Sequence, residues 1–145
     1  METTVVDAAR AFVESFVVPN KRERYLNWLK RERTHGKFLR ELDHLRWLDE
    51  RNSRAVPRTK QSTEEIEQAL RAHGAPDQCI VISANEDECR ESTLHDALGT
   101  VVGGTAGAIV SCIPGRLAYY EAEEPFERFI CLVKRSDATR EGSDR

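Results

Sequence analysis

Ser111 and Cys112 stand side by side in the run IVSCIPGRLAYYE, with Arg116 and Tyr120 close behind. A serine or cysteine becomes a nucleophile when a base lies within hydrogen-bond reach. The histidines that would serve, His35, His44, His73 and His95, form neither an H-x-x-x-H nor an H-E-x-x-H pattern. His44 follows Asp43 and His95 precedes Asp96, but helical neighbours one apart diverge, so neither pair is preformed. Successive strand residues also face opposite sides, so at most one of Ser111 and Cys112 faces any given site. The same run reads more simply as a hairpin. Pro114 presets φ and Gly115 accepts a positive φ, as the central positions of a type II turn require. Type II does not match the usual twist of a two-residue hairpin, which predicts a wider or bulged connection. No catalytic residue is assigned; Ser111, Cys112, Arg116 and Tyr120 are kept as the wall of a possible site.

Carboxylates offer a second chemistry. Glu121, Glu123 and Glu124, with Glu86, Asp87 and Glu88, have the oxygen ligands that Mg²⁺-assisted phosphodiester cleavage needs. Their spacing matches no nuclease motif, and EAEEP between two strands also suits an exposed hairpin loop. No cofactor is expected. VVGGTAG lacks the lysine and the spacing of a phosphate-binding loop. Cys79, Cys89, Cys112 and Cys131 never form a C-x-x-C pair, and three of them sit in apolar runs. They read as reduced thiols, neither a zinc site nor a disulfide framework.

The third candidate is electrostatic. Residues 20 to 60 carry 13 Lys and Arg against 6 acids, whereas residues 61 to 145 carry 8 against 16. A total of −3 therefore hides a bipolar chain. Lys21, Arg22, Arg24, Lys30, Arg31, Arg33, Lys37 and Arg40 flank two helical patterns, and Arg51, Arg54, Arg58 and Lys60 follow. Cations gathered on one surface bind phosphates by displacing counterions, or dock on an acidic protein. Glu23, Glu32 and Glu41 lie among them, which also suits an ordinary solvated hairpin. The basic front and acidic back can equally pair between two copies, as a self-association that salt weakens.

The elements that must position these groups follow from periodicity. Val5, Ala9, Phe12, Val13, Phe16 and Val17 keep helical spacing up to Pro19, behind a Thr4–Asp7 capping box. Asn20 with Glu23 caps a second helix carrying Tyr25, Leu26, Trp28 and Leu29. Gly36 breaks it, and a third runs through Phe38, Leu39, Leu42, Leu45 and Leu48. Trp28 and Trp47 read as core or edge packing. A polar connector, 51 to 61, leads to a helix capped by Ser62 and Glu65 and closed at Gly74. The period then changes. CIVIS is a buried strand, NEDECRE an acidic loop, and Ser92 or Thr93 caps a helix through Val102. AIVSCI, RLAYYE and RFICLVK are three further strands. Of Tyr119 and Tyr120, one should point inward and one outward.

The expected fold is α+β: a helical N-terminal half of about four helices packed on a small, mainly antiparallel β-α-β-β-β sheet, with helices on one face. The first strand is a candidate for parallel pairing through its helical crossover. Residues 1–136 form one domain and 137–145 a disordered tail. No apolar run reaches transmembrane length and the start METTVVDAAR lacks signal-peptide character, so the expected location is cytoplasmic, without membrane contact.

KRERYLNWL, GAPDQCIVIS and IVSCIPGRLAYYE together resemble a group of small uncharacterised bacterial proteins. The resemblance covers most of the chain and implies one folded unit; it brings no activity, cofactor or catalytic residue. The group has Gly where this chain has Cys89. The residues themselves point to a non-catalytic binding or regulatory protein whose basic helical segment contacts nucleic acid or an acidic protein. The alternatives are a metal-assisted nuclease using the hairpin carboxylates and a subunit of a larger assembly.

Overall fold

The first helix forms where the apolar period demands it. In the computed structural model, which describes residues 1–134, α1 spans Thr3–Phe16 and buries Val5, Ala8, Ala9, Phe12, Val13 and Phe16. The expected Thr4–Asp7 box does not form, because the helix starts two residues earlier, with Glu2 and not Thr4 at the N-cap. A 3-10 turn at Pro19–Lys21 leads into α2, Arg22–Leu29, where the Asn20 cap is likewise replaced by Lys21. The third helix differs more. Gly36 lies in the first turn of α3, His35–Glu41, and the helix stops well short of Leu48. Its end is set by the sheet: the Tyr120 hydroxyl donates to the Leu42 carbonyl at 2.5 Å and accepts from the Leu45 amide at 2.9 Å. A tertiary partner thus takes groups that another helical turn would have used. A 3-10 turn at Leu42–His44 follows, the chain is extended from Leu45, and Leu48 bridges Val17.

Two strands appear where loops were expected. β1, Ser53–Ala55, lies in the polar connector, and β3, Arg90–Thr93, follows the acidic segment. Between them come α4, Thr63–Ala72, and β2, Gln78–Ser83; α5, Leu94–Val101, follows β3. The Ser62–Glu65 capping box and the Thr93 cap both form. β4, Ala108–Ile113, β5, Leu117–Glu121, and β6, Arg128–Leu132, complete the sheet. Its order is β1-β6-β5-β4-β2-β3, and every pairing is antiparallel. β2 therefore lies antiparallel to both neighbours, not parallel to one, and the crossover through α5 joins β3 to β4, which run in the same direction on either side of β2.

Helices cover both faces, which corrects the one-face arrangement. α1, α2 and α3 bury Ile82, Ile109, Ala118, Tyr120 and Cys131 on one side. α4 and α5 bury Val81, Val110, Leu117 and Tyr119 on the other. Every residue of β5 is buried, so Tyr119 and Tyr120 both point into apolar layers and neither faces water. The β4–β5 hairpin turns at Ile113–Arg116, closed by the Arg116 amide donating to the Ile113 carbonyl at 2.9 Å. Gly115 takes φ 76°, as a type II turn requires, and a register shift between Ser111 and Ile113 supplies the expected bulge. At the far end of β4, Gly107 touches the α3 exit so closely that a Cβ there would run into the Leu42 carbonyl oxygen. The Gly107 amide also donates to Asp43 Oδ1 at 2.8 Å. Among the described residues, no helix is long and apolar enough to cross a membrane. The predicted tail, 137–145, lies outside the described residues.

Candidate functional site

The basic segment folds as the α2–α3 hairpin. Tyr25 and Leu29 of α2 and His35, Phe38 and Leu39 of α3 are buried against α1 and the sheet. Their burial turns the remaining positions outward. The linking turn is held from within. The Thr34 hydroxyl lies 2.6 Å from the Trp28 carbonyl, and His35 Nε2 is 3.1 Å from the Leu29 carbonyl. A carbonyl only accepts, so Nε2 carries the ring proton. Both bonds fix the segment that bears Lys30, Arg31 and Arg33.

The eight predicted cations fall into two groups. Lys21, Arg22 and Arg24 have local partners. Lys21 Nζ lies 4.4 Å over the Trp47 ring, the Arg24 guanidinium 4.9 Å over the Trp28 ring, and Arg22 Nε donates to the Val17 carbonyl at 2.8 Å. Such cation–aromatic contacts pre-order a side chain without cancelling its charge. Lys30, Arg31, Arg33, Lys37 and Arg40 are exposed. None of the eight forms an ion pair among the described residues. The interspersed acids do not neutralise them by direct contact: Glu41 accepts instead from the Tyr25 hydroxyl at 3.1 Å. Burial, followed by the neighbouring Glu41 charge, pushes the Tyr25 hydroxyl upward, so it stays a donor. Trp28 packs edge-on against Tyr25 at the margin of the core, whereas Trp47 is 39 % exposed beneath Lys21 and joins neither core cluster, which corrects its expected packing role.

The connector cations stand apart from this surface. Arg51 is bound to Asp49, Arg54 is on β1, and Arg58 stacks 4.6 Å over the exposed ring of Phe126. The role of this segment as a sheet edge is missed from sequence, because three residues are too few to show an alternating pattern.

The candidate loop does not assemble. Ser111 is 3 % exposed and pairs with Ile80 and Ala118 on the α1–α3 face, while Cys112 is 4 % exposed on the α4–α5 face. Burial pushes the Cys112 thiol up to about 12, which leaves negligible thiolate near neutrality. Tyr120 is buried with its hydroxyl committed to Leu42 and Leu45. Of the four, Arg116 is the one that meets solvent.

The carboxylates are also dispersed into separate contacts. Glu121, 2 % exposed, accepts from the Tyr119 hydroxyl at 2.6 Å and the Gly103 amide at 2.9 Å, with Arg128 Nε at 3.3 Å. Glu124 pairs with His44, and Glu88 accepts from the Ser83 hydroxyl at 3.0 Å. Among the described residues, no group of three or more His, Cys, Asp or Glu is placed to hold a metal ion. Of the predicted groups, Lys30, Arg31, Arg33, Lys37 and Arg40 are the ones left exposed on one hairpin without an ion pair among the described residues.

Compared with known proteins, the chain matches no family, no curated protein and no solved structure.

Proposed function

We propose that the protein is a non-catalytic binding protein whose α2–α3 hairpin docks on a polyanion, in the first instance the phosphate backbone of a nucleic acid. One observation carries the reading: Lys30, Arg31, Arg33, Lys37 and Arg40 project from one short hairpin with no carboxylate partner among the described residues. Like charges held together repel one another, and a row of phosphates relieves that repulsion while releasing counterions. Lys21 and Arg24, ordered on their tryptophans, extend the same charge along α2. The contacts expected are to phosphates and not to bases, so binding should be weakly sequence-dependent.

The test is fluorescence anisotropy with labelled single- and double-stranded DNA and RNA at two salt concentrations. Five phosphate contacts give a slope of log affinity on log salt of about −4. Reversal of Arg31 and Arg33 to Glu should weaken binding at least tenfold and flatten that slope, with an unchanged circular dichroism spectrum. Absence of binding at low salt removes the nucleic-acid reading. An acidic protein surface then takes its place, and so does self-association, since residues 61 to 145 carry 8 cations against 16 acids. Sedimentation of the protein alone at low and high salt separates those two.

A further inference from the structure

The α4–α5 layer covers only part of its side of the sheet. Its core sits over β2, β4 and β5, and Ile130 and Leu132 of β6 are left half-buried at its margin. Beyond α4 the uncovered strip becomes a groove of about 930 Å³, bounded by β1, the chain that leaves it and the outer side of α4. That volume falls within the range of small-molecule sites, about 300 to 1,000 Å³. Ile130, Leu132 and Ala69 give it an apolar floor.

The rim is basic. Arg54, Lys60 and Lys134 line the groove, are exposed, and pair with no carboxylate among the described residues. Arg54 lies opposite Ile130 in the β1–β6 register, so its side chain stands on the same face as the floor. The other charged groups there are mostly committed. Arg51 is held by Asp49, and the Glu65 carboxylate accepts from the Ser62 amide and hydroxyl in the cap of α4. Three unpaired cations then face two carboxylates, Glu50 and the capping Glu65, which keeps its charge, with His73 at the end of α4.

These features select the occupant. An inorganic anion would leave the floor wet, and a neutral apolar ligand would leave the cations unmatched. An added peptide strand is disfavoured by the edge itself. The Val56 amide donates to the Arg128 carbonyl at 2.8 Å. Alternation along the antiparallel ladder therefore turns only Ser53 and Ala55 outward, too short a row for strand addition. We propose that the groove binds a small amphiphilic carboxylate, its apolar body on Ile130 and Leu132 and its carboxylate at Arg54, Lys60 and Lys134.

Octanoate, kept below its micelle concentration, is titrated into the full chain while backbone amide resonances are followed by NMR. The expected result is saturable one-to-one shifts confined to β1, α4 and β6. Acetate and octyltrimethylammonium at matched concentration should give none there. Arg54→Glu with Lys60→Glu should weaken octanoate at least tenfold, and Ala69→Trp should abolish binding by filling the floor. Should that tryptophan unfold the protein, Arg54→Glu with Lys134→Glu carries the same expectation. Reversal of Arg31 and Arg33 should leave octanoate affinity unchanged, which separates this site from the hairpin. Equal binding of octyltrimethylammonium, unchanged affinity in the charge reversals, or no saturable shift with octanoate would each overturn the assignment.

Discussion

Two buried carboxylates titrate in opposite directions, and the difference lies in what surrounds each one. Asp49 receives Arg51 Nε at 3.0 Å and Nη2 at 2.7 Å, and these bonds hold its carboxyl below the usual aspartate value. Burial dominates at Glu121 and pushes its carboxyl above the ordinary value of 4.5, although Tyr119, Arg128 and the Gly103 amide oppose the shift. The signs follow from linkage. Asp49 binds its proton less tightly folded than unfolded, so its stabilisation is present above the unfolded value and disappears as pH falls. Glu121 binds its proton more tightly when folded, so its contribution is present at low pH and is lost as pH rises through the raised value. In urea unfolding between about pH 3 and 7, Asp49→Asn should flatten the acid limb of stability, and Glu121→Gln should remove a loss on the way up. Equal pH profiles for the two variants would show that these environments do not govern the titrations. At this scale the sequence is a partial guide. The eight hairpin cations are legible by number, but the engagement of Lys21, Arg22 and Arg24 is not, because Trp47, Val17 and Trp28 become their partners only through folding.

Elements are legible in proportion to how local their causes are. The Ser62–Glu65 box, the Thr93 cap and the Pro114–Gly115 turn depend on residues within four positions of one another, and each forms where expected. β1 and β3 depend on β6 and β2, and α3 ends where Tyr120 of β5 claims Leu42. The covering of both sheet faces leaves a trace in AIVSCI and LAYYE, which show no polar alternation. The groove beside α4 leaves none, since its walls come from β1, α4 and β6. This ranking predicts the cost of two glycine changes. Gly115→Ala forces a side chain onto φ 76° and should cost about 1 kcal/mol. Gly107→Ala drives β4 away from the Leu42 carbonyl and the Asp43 contact, and should cost about 3 kcal/mol. Chemical denaturation of both variants measures the difference, and comparable losses would mean that the α3 exit yields easily.

The whole molecule is a sheet with two unlike sides. The α1–α3 side carries the exposed hairpin cations, and the groove opens on the α4–α5 side. β4 and β5 serve both layers at once, with Ile109 and Tyr120 facing one and Val110 and Tyr119 the other. Both floors are built on strands that follow residue 60, with β2 and β6 flanking this pair. A fragment ending at Lys60 should therefore lack stable helical structure by circular dichroism and disperse poorly in amide NMR spectra; a cooperatively folded fragment would refute this dependence. The same dependence has a consequence during synthesis. α3 ends at Glu41 and β5 at Glu121, so 80 residues must be added after the helical layer is made before the centre of its floor is complete. At ordinary elongation rates that interval is about 4 to 16 s. Until then Phe12, Phe16 and Phe38 have at most the β2–β3 hairpin to pack on, and not the full sheet. A slow codon placed before residue 108 should prolong that exposure.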